Sequence, residues 1–468
     1  MRRLSPIDVM FLLLERRHAP FHVGALSLFH PPEGAPPNYA AALAERLSQQ
    51  THVSIPFNRR LAGRAGMNYW ARDPHFDLAH HFVHLALPKP GRIRELLAMV
   101  SRMHSAHLDR AYPLWCTYLI EGLEDGRIAT YTKVHHSMVD GVAGIRLMLK
   151  SMSPDAIASA EMPPPWSLKP SCRRTSTLSV PAVTGFRALT ELALQGRHSV
   201  PAVFSQISRT VKDYRARHPD LVTSFQAPRC IFNQHISGSR RFAAESYSTA
   251  RIKAVAERFD STTNDAVLAL CASALRRYLI EQNALPDQPL IAAVPVSIRR
   301  DDSEEGNEIS IALVNLATHL SDPVERFMLI KRSMDYNKAR FSQMSPAQLL
   351  AYTAAMLAPG LMTLLPGVKH AAANVVISHV PGPREPMYWQ GCRLDGIYPV
   401  SLLLDGFALN ITLIRRHDKV DFGLLACRRS VPQMQHLLGY IGDALSELEA
   451  VGGLSEPMDS IGSARQRA

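Results

Sequence analysis

Two adjacent histidines, His135 and His136, are followed by Asp140 and Gly141 in TYTKVHHSMVDGVAGIRLMLK, residues 130–150. A neutral imidazole, with an ordinary pKa of about 6.5, can take the proton from a hydroxyl as its oxygen attacks an activated carbonyl, accelerating that step by about a hundred- to ten-thousand-fold. The residues leading to the pair, RIATYTKVHH, alternate as a strand does. Successive strand side chains point to opposite faces, so a strand running through both histidines sends only one of them into a given pocket and leaves the other as scaffold. Asp140-Gly141 suits a tight turn, and Asp140 can also cap the first turn of a helix over GVAGIRLMLK. The same residues also fit a purely structural role, with both histidines in the strand and Asp140 as the cap.

Other chemistries lose support. Zinc needs at least three convergent ligands, and the spacing offers no HExxH helical face, so no metal is expected. There is no G-x-S-x-G nucleophile elbow, no P-loop and no G-x-G-x-x-G. Direct acyl transfer to an alcohol or amine remains.

The elements that must carry this turn follow from periodicity. PNYAAALAERLSQQ and GRIRELLAMVSRMHSAHLD have helical spacing, the latter placing Ile93, Leu96, Leu97, Val100 and Met103 on one face. STTNDAVLALCASALRRYLIEQ reads as a long helix capped at Thr262 or Thr263, and PLIAAVPVSI, NVVISHV, FALNITLI and VDFGLLAC read as central strands. The class is α/β. A chain of 468 residues exceeds one core, so two domains of about 200 residues are expected. The texture divides it at 1–160, a Pro-rich and then basic connection at 161–241, and 242–468.

With 46% hydrophobic and 20% charged residues the composition is that of a globular protein, and six scattered cysteines without CxxC spacing imply neither a zinc site nor a disulfide framework. The apolar run near the N-terminus ends at Glu15-Arg16-Arg17, too early for a secretory segment, and no run reaches the roughly 20 apolar residues of a membrane span. A cytoplasmic location is expected. The net charge is +11, and residues 166–241 carry twelve Lys and Arg against three acids. Such a concentration points to an anionic partner, either a membrane surface or a phosphate-rich small molecule. Nucleic acid is not expected, because no reader motif or aromatic platform is present. A helix at about 202–217, with Val203, Ile207, Val211 and Tyr214 on one side and Arg209, Lys212, Arg215 and Arg217 around the others, has the pattern of an interfacial helix.

HHSMVDG resembles the HHxxxDG motif of the thioester-dependent acyltransferases that include chloramphenicol acetyltransferase, carnitine acyltransferases and peptide-synthetase condensation domains. LSPIDVMFLLLERRHAPFHVGALSLF, LDRAYPLW, TTNDAVLALCASALRRYL, VPVSIR, GNEIS, VISHVPGPREPMYWQGCRL and ALNITL, in that order, narrow the resemblance to the bacterial wax ester synthase/diacylglycerol acyltransferase family over nearly the whole chain. Two departures stand out. His379 occupies the place where the family usually has Asn before Val-Pro-Gly-Pro, and LIRR follows Asn410-Ile411-Thr412 where a Ser-Tyr pair is common.

The resemblance implies two chloramphenicol-acetyltransferase-like lobes, each a mixed sheet flanked by helices, joined by a long crossover, with the active site between them. It implies transfer of a long-chain acyl group from acyl-CoA, a substrate and not a cofactor, to a diacylglycerol or fatty alcohol. The same superfamily leaves open a carrier-protein thioester donor, or a non-catalytic lipid-binding protein of the same fold. By resemblance His136 is the general base, His135 supports the strand end, and Asp140, next to Gly141, holds the loop by pairing with an arginine, for which Arg299 is the candidate. Pro113-Leu114-Trp115 matches the family's PLW motif, associated with the acyl-CoA side, although Trp115 also fits a core position. Asn264-Asp265 matches its ND motif near the active site, with Asn264 a candidate oxyanion donor, and the same pair fits an ordinary helix start. Peripheral association with a membrane or lipid-inclusion surface completes the expectation.

Overall fold

The strand runs pair into two six-stranded mixed sheets and one small three-stranded sheet in a computed structural model that describes residues 2–63, 69–139, 141–168, 220–223, 226–297, 309–344, 348–349, 352 and 372–454. The first sheet runs Tyr388–Trp389, Cys392–Val400, His22–His30, Ile128–His135, Trp115–Glu121 and Phe82–Ala86, antiparallel except for its last pair. The second runs Ile309–Asn315, Ile291–Ser297, Val375–Pro381, Leu409–Arg415, Lys419–Cys427 and Arg240–Ser248, with Val375–Pro381 parallel to both of its neighbours. Two mixed-sheet lobes with flanking helices are therefore present.

The long helix expected in the second half spans Thr263–Glu281 and starts at Thr262, whose side chain accepts the Asp265 N–H while Asp265 accepts the Thr262 N–H at 3.0 Å. Its residues from Asp265 through Leu275 are buried on every side, so it serves as the spine on which the helices Pro323–Phe341 and His436–Val451 rest.

Texture alone places everything after residue 242 in one lobe, but the chain does not keep to that division. Cys392–Val400 leaves the second lobe and pairs with His22–His30 of the first sheet, carrying the short strand Tyr388–Trp389 on its outer edge. A helix of the first lobe, Ile93–Ser105, in turn caps the edge strand of the second: Ser101 Oγ accepts the Phe242 N–H at 2.9 Å and Ser105 Oγ that of Arg240 at 3.1 Å. The start of the Pro-rich connection is docked. Trp166 is 1% exposed and stacks on Trp115 with ring centroids 5.8 Å apart. The basic helix expected at 202–217 lies outside the described residues. Among the described residues no helix is long and apolar enough to cross a membrane.

Candidate active site

Alternation along Ile128–His135 sorts its side chains. Thr132 and Val134, with His136 just beyond the strand, line a cavity of about 410 Å³, whereas Tyr131, Lys133 and His135 are buried away from it. The first sheet also contributes Val23, Gly24 and Ala25 to the wall. Glycine is required at position 24 because a Cβ there would sit 2.5 Å from the Thr132 carbonyl oxygen. Across the cavity, Pro295, Ser378, His379, Val380, Pro381 and Thr412 belong to the second sheet, and Pro399, Val400 and Ser401 to the crossing strand and the residue after it. The cavity therefore lies between the lobes, with a largely apolar lining.

The turn at His136 is held from several directions. Its N–H donates to the Phe21 carbonyl at 2.9 Å, and the Phe11 ring lies 4.8 Å from its own. Phe11 belongs to the helix Pro6–Leu14, started by a Ser5–Asp8 capping box and by Pro6. His135 is 1% exposed. Its Nδ1 accepts the Ser137 N–H at 3.1 Å and the Ser137 hydroxyl at 2.7 Å, which leaves the proton on Nε2, 3.7 Å from Glu15 Oε1. Burial, only partly offset by the Glu15 charge, lowers the His135 pKa to about 4, so the ring is neutral. Burial would raise the Glu15 carboxyl, but the Phe21 N–H and the Arg110 guanidinium, at 3.0 Å and 2.8 Å, outweigh it and bring its pKa down. One carboxylate thus fixes the Phe21 peptide on which His136 hangs.

Behind His135 lies a sealed polar layer. His22 pairs with His135 across the strands, and its Nε2 meets the His104 carbonyl at 2.8 Å. His104 bridges the Tyr131 hydroxyl and the Ser401 carbonyl, each at 2.7 Å, and burial lowers its pKa to about 3. Lys133 donates to the Met103 and Ala106 carbonyls at 2.9 and 2.8 Å, with burial lowering it to about 8.

The remaining residues singled out in the sequence are placed as follows. Asp140 and Arg299 lie outside the described residues, as does any pairing between them, and Gly141 begins the helix Gly141–Leu149. Pro113, Leu114 and Trp115 are buried. The Leu114 carbonyl accepts the His135 N–H at 2.9 Å, and Trp115 donates its indole N–H to the Phe57 carbonyl at 2.8 Å. Trp115 thus stands one layer behind the wall, against Phe57 and beside Val134, both of which line the cavity. Asn264 and Asp265 are not among the lining residues, and Asp265 is spent on its capping box and on Lys338, 3.4 Å away. Gly24, Pro295 and Ser378 are among the wall residues that the sequence does not assign to the site, while His379 and Thr412 lie at or beside the two departures from the family pattern, in stretches expected to line or support the pocket. Their signal was the VISHVPGP and ALNITL stretches, whose strands bring them in. Among the described residues no group of three or more His, Cys, Asp or Glu is placed to hold a metal ion.

Two mixed-sheet lobes, with a His-His turn entering the cavity between them, define the class of HHxxxDG acyltransferases. The model of the wax ester synthase/diacylglycerol acyltransferase catalytic domain matches residues 4–267, and that of the WS/DGAT C-terminal domain matches 305–449. The chain belongs to this family. It is 46% identical over 454 residues, 96% of this chain and 98% of the other, to the O-acyltransferase WSD of Acinetobacter baylyi. It is 43% identical over 461 residues, 96% of this chain and 99% of the other, to a putative diacylglycerol O-acyltransferase of Mycobacterium bovis. The solved wax ester synthase/diacylglycerol acyltransferase of Marinobacter aquaeolei superposes with a TM-score of 0.77 at 43% identity, covering 97% of this chain and all of that one. The first condensation domain of the calcium-dependent antibiotic synthetase shares the fold alone, with a TM-score of 0.57 at 15% identity, covering 97% of each chain.

Proposed function

We propose that the protein transfers a long-chain fatty acyl group from acyl-CoA to a fatty alcohol or to the free hydroxyl of a diacylglycerol, giving wax ester or triacylglycerol. The observation that carries this reading is the place of His136 on the wall of a largely apolar cavity between the lobes, in a chain of this family. An apolar wall suits an alkyl chain, and one imidazole is all the base that the attack requires. His136 takes the hydroxyl proton as the oxygen forms a bond to the thioester carbon. The tetrahedral intermediate then collapses, the C–S bond breaks, and the CoA sulfur leaves with the proton that His136 held. No covalent enzyme intermediate forms. Purified protein given palmitoyl-CoA with hexadecanol or a diacylglycerol tests this: free thiol and the matching lipid ester should appear together, and thiol without ester would reject it.

Because acceptor and product are insoluble in water, the enzyme meets them at a lipid surface. In support, the N-terminal helix exposes Met10 at 42% and Leu13 at 62%, with the exposed Arg2, Arg3, Arg16 and Arg17 at its two ends. An apolar ridge between cationic ends matches an anionic bilayer, where each basic residue contributes about 1 kcal/mol and salt screens it. Sedimentation with anionic vesicles should therefore fall with rising salt and with Leu13→Asp.

A further inference from the structure

The helix Pro6–Leu14 sends its described apolar side chains in different directions. Leu12, with Val9 beside it, packs into the cluster formed with Leu4, Leu61, Trp70 and Leu114, whereas Met10 and Leu13 face outward. Phe11 belongs with neither group. It is half-buried and joins none of the apolar clusters of the described residues. Its ring stacks on Phe21 at 5.6 Å between centroids and lies 4.8 Å from the His136 ring, the two planes 57° apart. His136 lines the cavity between the lobes and Phe11 does not. The base therefore has the cavity on one side and a phenyl ring on another.

We propose that Phe11 is a positioning residue of the transfer: it steadies the His136 ring toward the cavity and covers the base against water, so that the acceptor hydroxyl and not water attacks the thioester. This rests on the acyl-transfer reading above. Two reactions compete for the same bond. In transfer the acceptor O–H gives its proton to His136, its oxygen bonds to the carbonyl carbon, the C–S bond breaks, and the CoA sulfur leaves with the proton. In hydrolysis water follows the same steps and the product is a free fatty acid. An imidazole that takes a proton from an alcohol takes one from water as well, so the choice between them falls to access, and excluding water prevents the side reaction. The hydrogen bond from the His136 N–H to the Phe21 carbonyl, at 2.9 Å, fixes the backbone and does not act on the ring. The tilted contact with Phe11 does, and a phenyl ring brings no acceptor to compete for the proton.

The test follows three products together from palmitoyl-CoA and hexadecanol: free thiol, wax ester and palmitic acid. The wild-type protein should release thiol and ester in equal amounts. In Phe11→Ala ester formation should fall by about tenfold to a hundredfold, as a misplaced reacting group costs, and palmitic acid should become the larger product. A merely structural role would lower ester and acid together and leave their ratio alone. An unchanged ester-to-acid ratio in Phe11→Ala, whether or not total turnover falls, therefore overturns the proposal. If Phe11→Ala melts early, Phe11→Leu and Phe11→Asn decide: the apolar Leu should keep the ester share and the polar Asn should lose it, and equal shares in the two overturn the proposal. Failure of the underlying reading is seen separately, as thiol without ester from the wild-type protein.

Discussion

The strand Ile128–His135 carries histidines to two opposite environments. On its cavity face Thr132 and Val134 lead to His136, which borders a largely apolar space. On its other face Lys133 and His135 join His22 and His104 in a layer from which water is excluded. Adjacent positions in the chain thus have different chemistry. Where the imidazole is sealed and its Nδ1 already accepts two hydrogen bonds, it can only hold backbone in place; where it borders a cavity, it can exchange a proton with whatever fills that space.

His136→Ala should break the comparison most sharply. Turnover should fall by at least about a hundredfold with an unchanged melting temperature, because removing a base costs rate and not packing. Near-normal kcat in the folded variant would remove the distinction between the two faces.

His135→Ala should do the reverse. Leaving the Ser137 N–H without its acceptor costs about 1–3 kcal/mol of stability, with a smaller loss of kcat than at His136. Acid should act on the same face. His135 and His104 have folded pKa values of about 4 and about 3, below the ordinary 6.5, and that of His22 is also lowered by burial. Below pH 6.5 the unfolded chain therefore binds protons that the folded chain refuses, so stability is full above that value and falls as pH drops toward 4. Each such histidine contributes a slope of up to about 1.4 kcal/mol per pH unit. Urea midpoints between pH 7 and 4 measure that slope, and His135→Ala should flatten it by about one proton; an unchanged slope would place His135 outside the sealed layer.

Glu15→Gln keeps the shape of the clamp and removes its charge. Arg110 is 41% exposed, so screening reduces the loss to about 1 kcal/mol, accompanied by a lower kcat as the Phe21 peptide loosens. Asp265→Ala, far along the chain and off the cavity wall, should show the smallest effect: about 1 kcal/mol for the lost cap, with kcat unchanged. A fall in kcat without a fall in melting temperature would bring the Asn264-Asp265 pair back to the site.

Local rules were enough for much of this protein. Period-two alternation separated His136 from His135, the Thr262-Thr263 pair announced the start of the central helix to within a residue, and the ordered motifs pointed to the family, because each depends on residues a few positions apart. Tertiary structure alone decided which strand lies beside which. Cys392–Val400 has the same pattern as any buried strand, and its pairing with His22–His30, more than 350 residues earlier, is set by edge complementarity and not by local propensity. The same holds for the link from His136 back to Phe21 within the first lobe, and for the strands that bring Ser378 and Thr412 to the cavity wall: these groups meet only in the folded sheets, so no spacing along the chain records the contact.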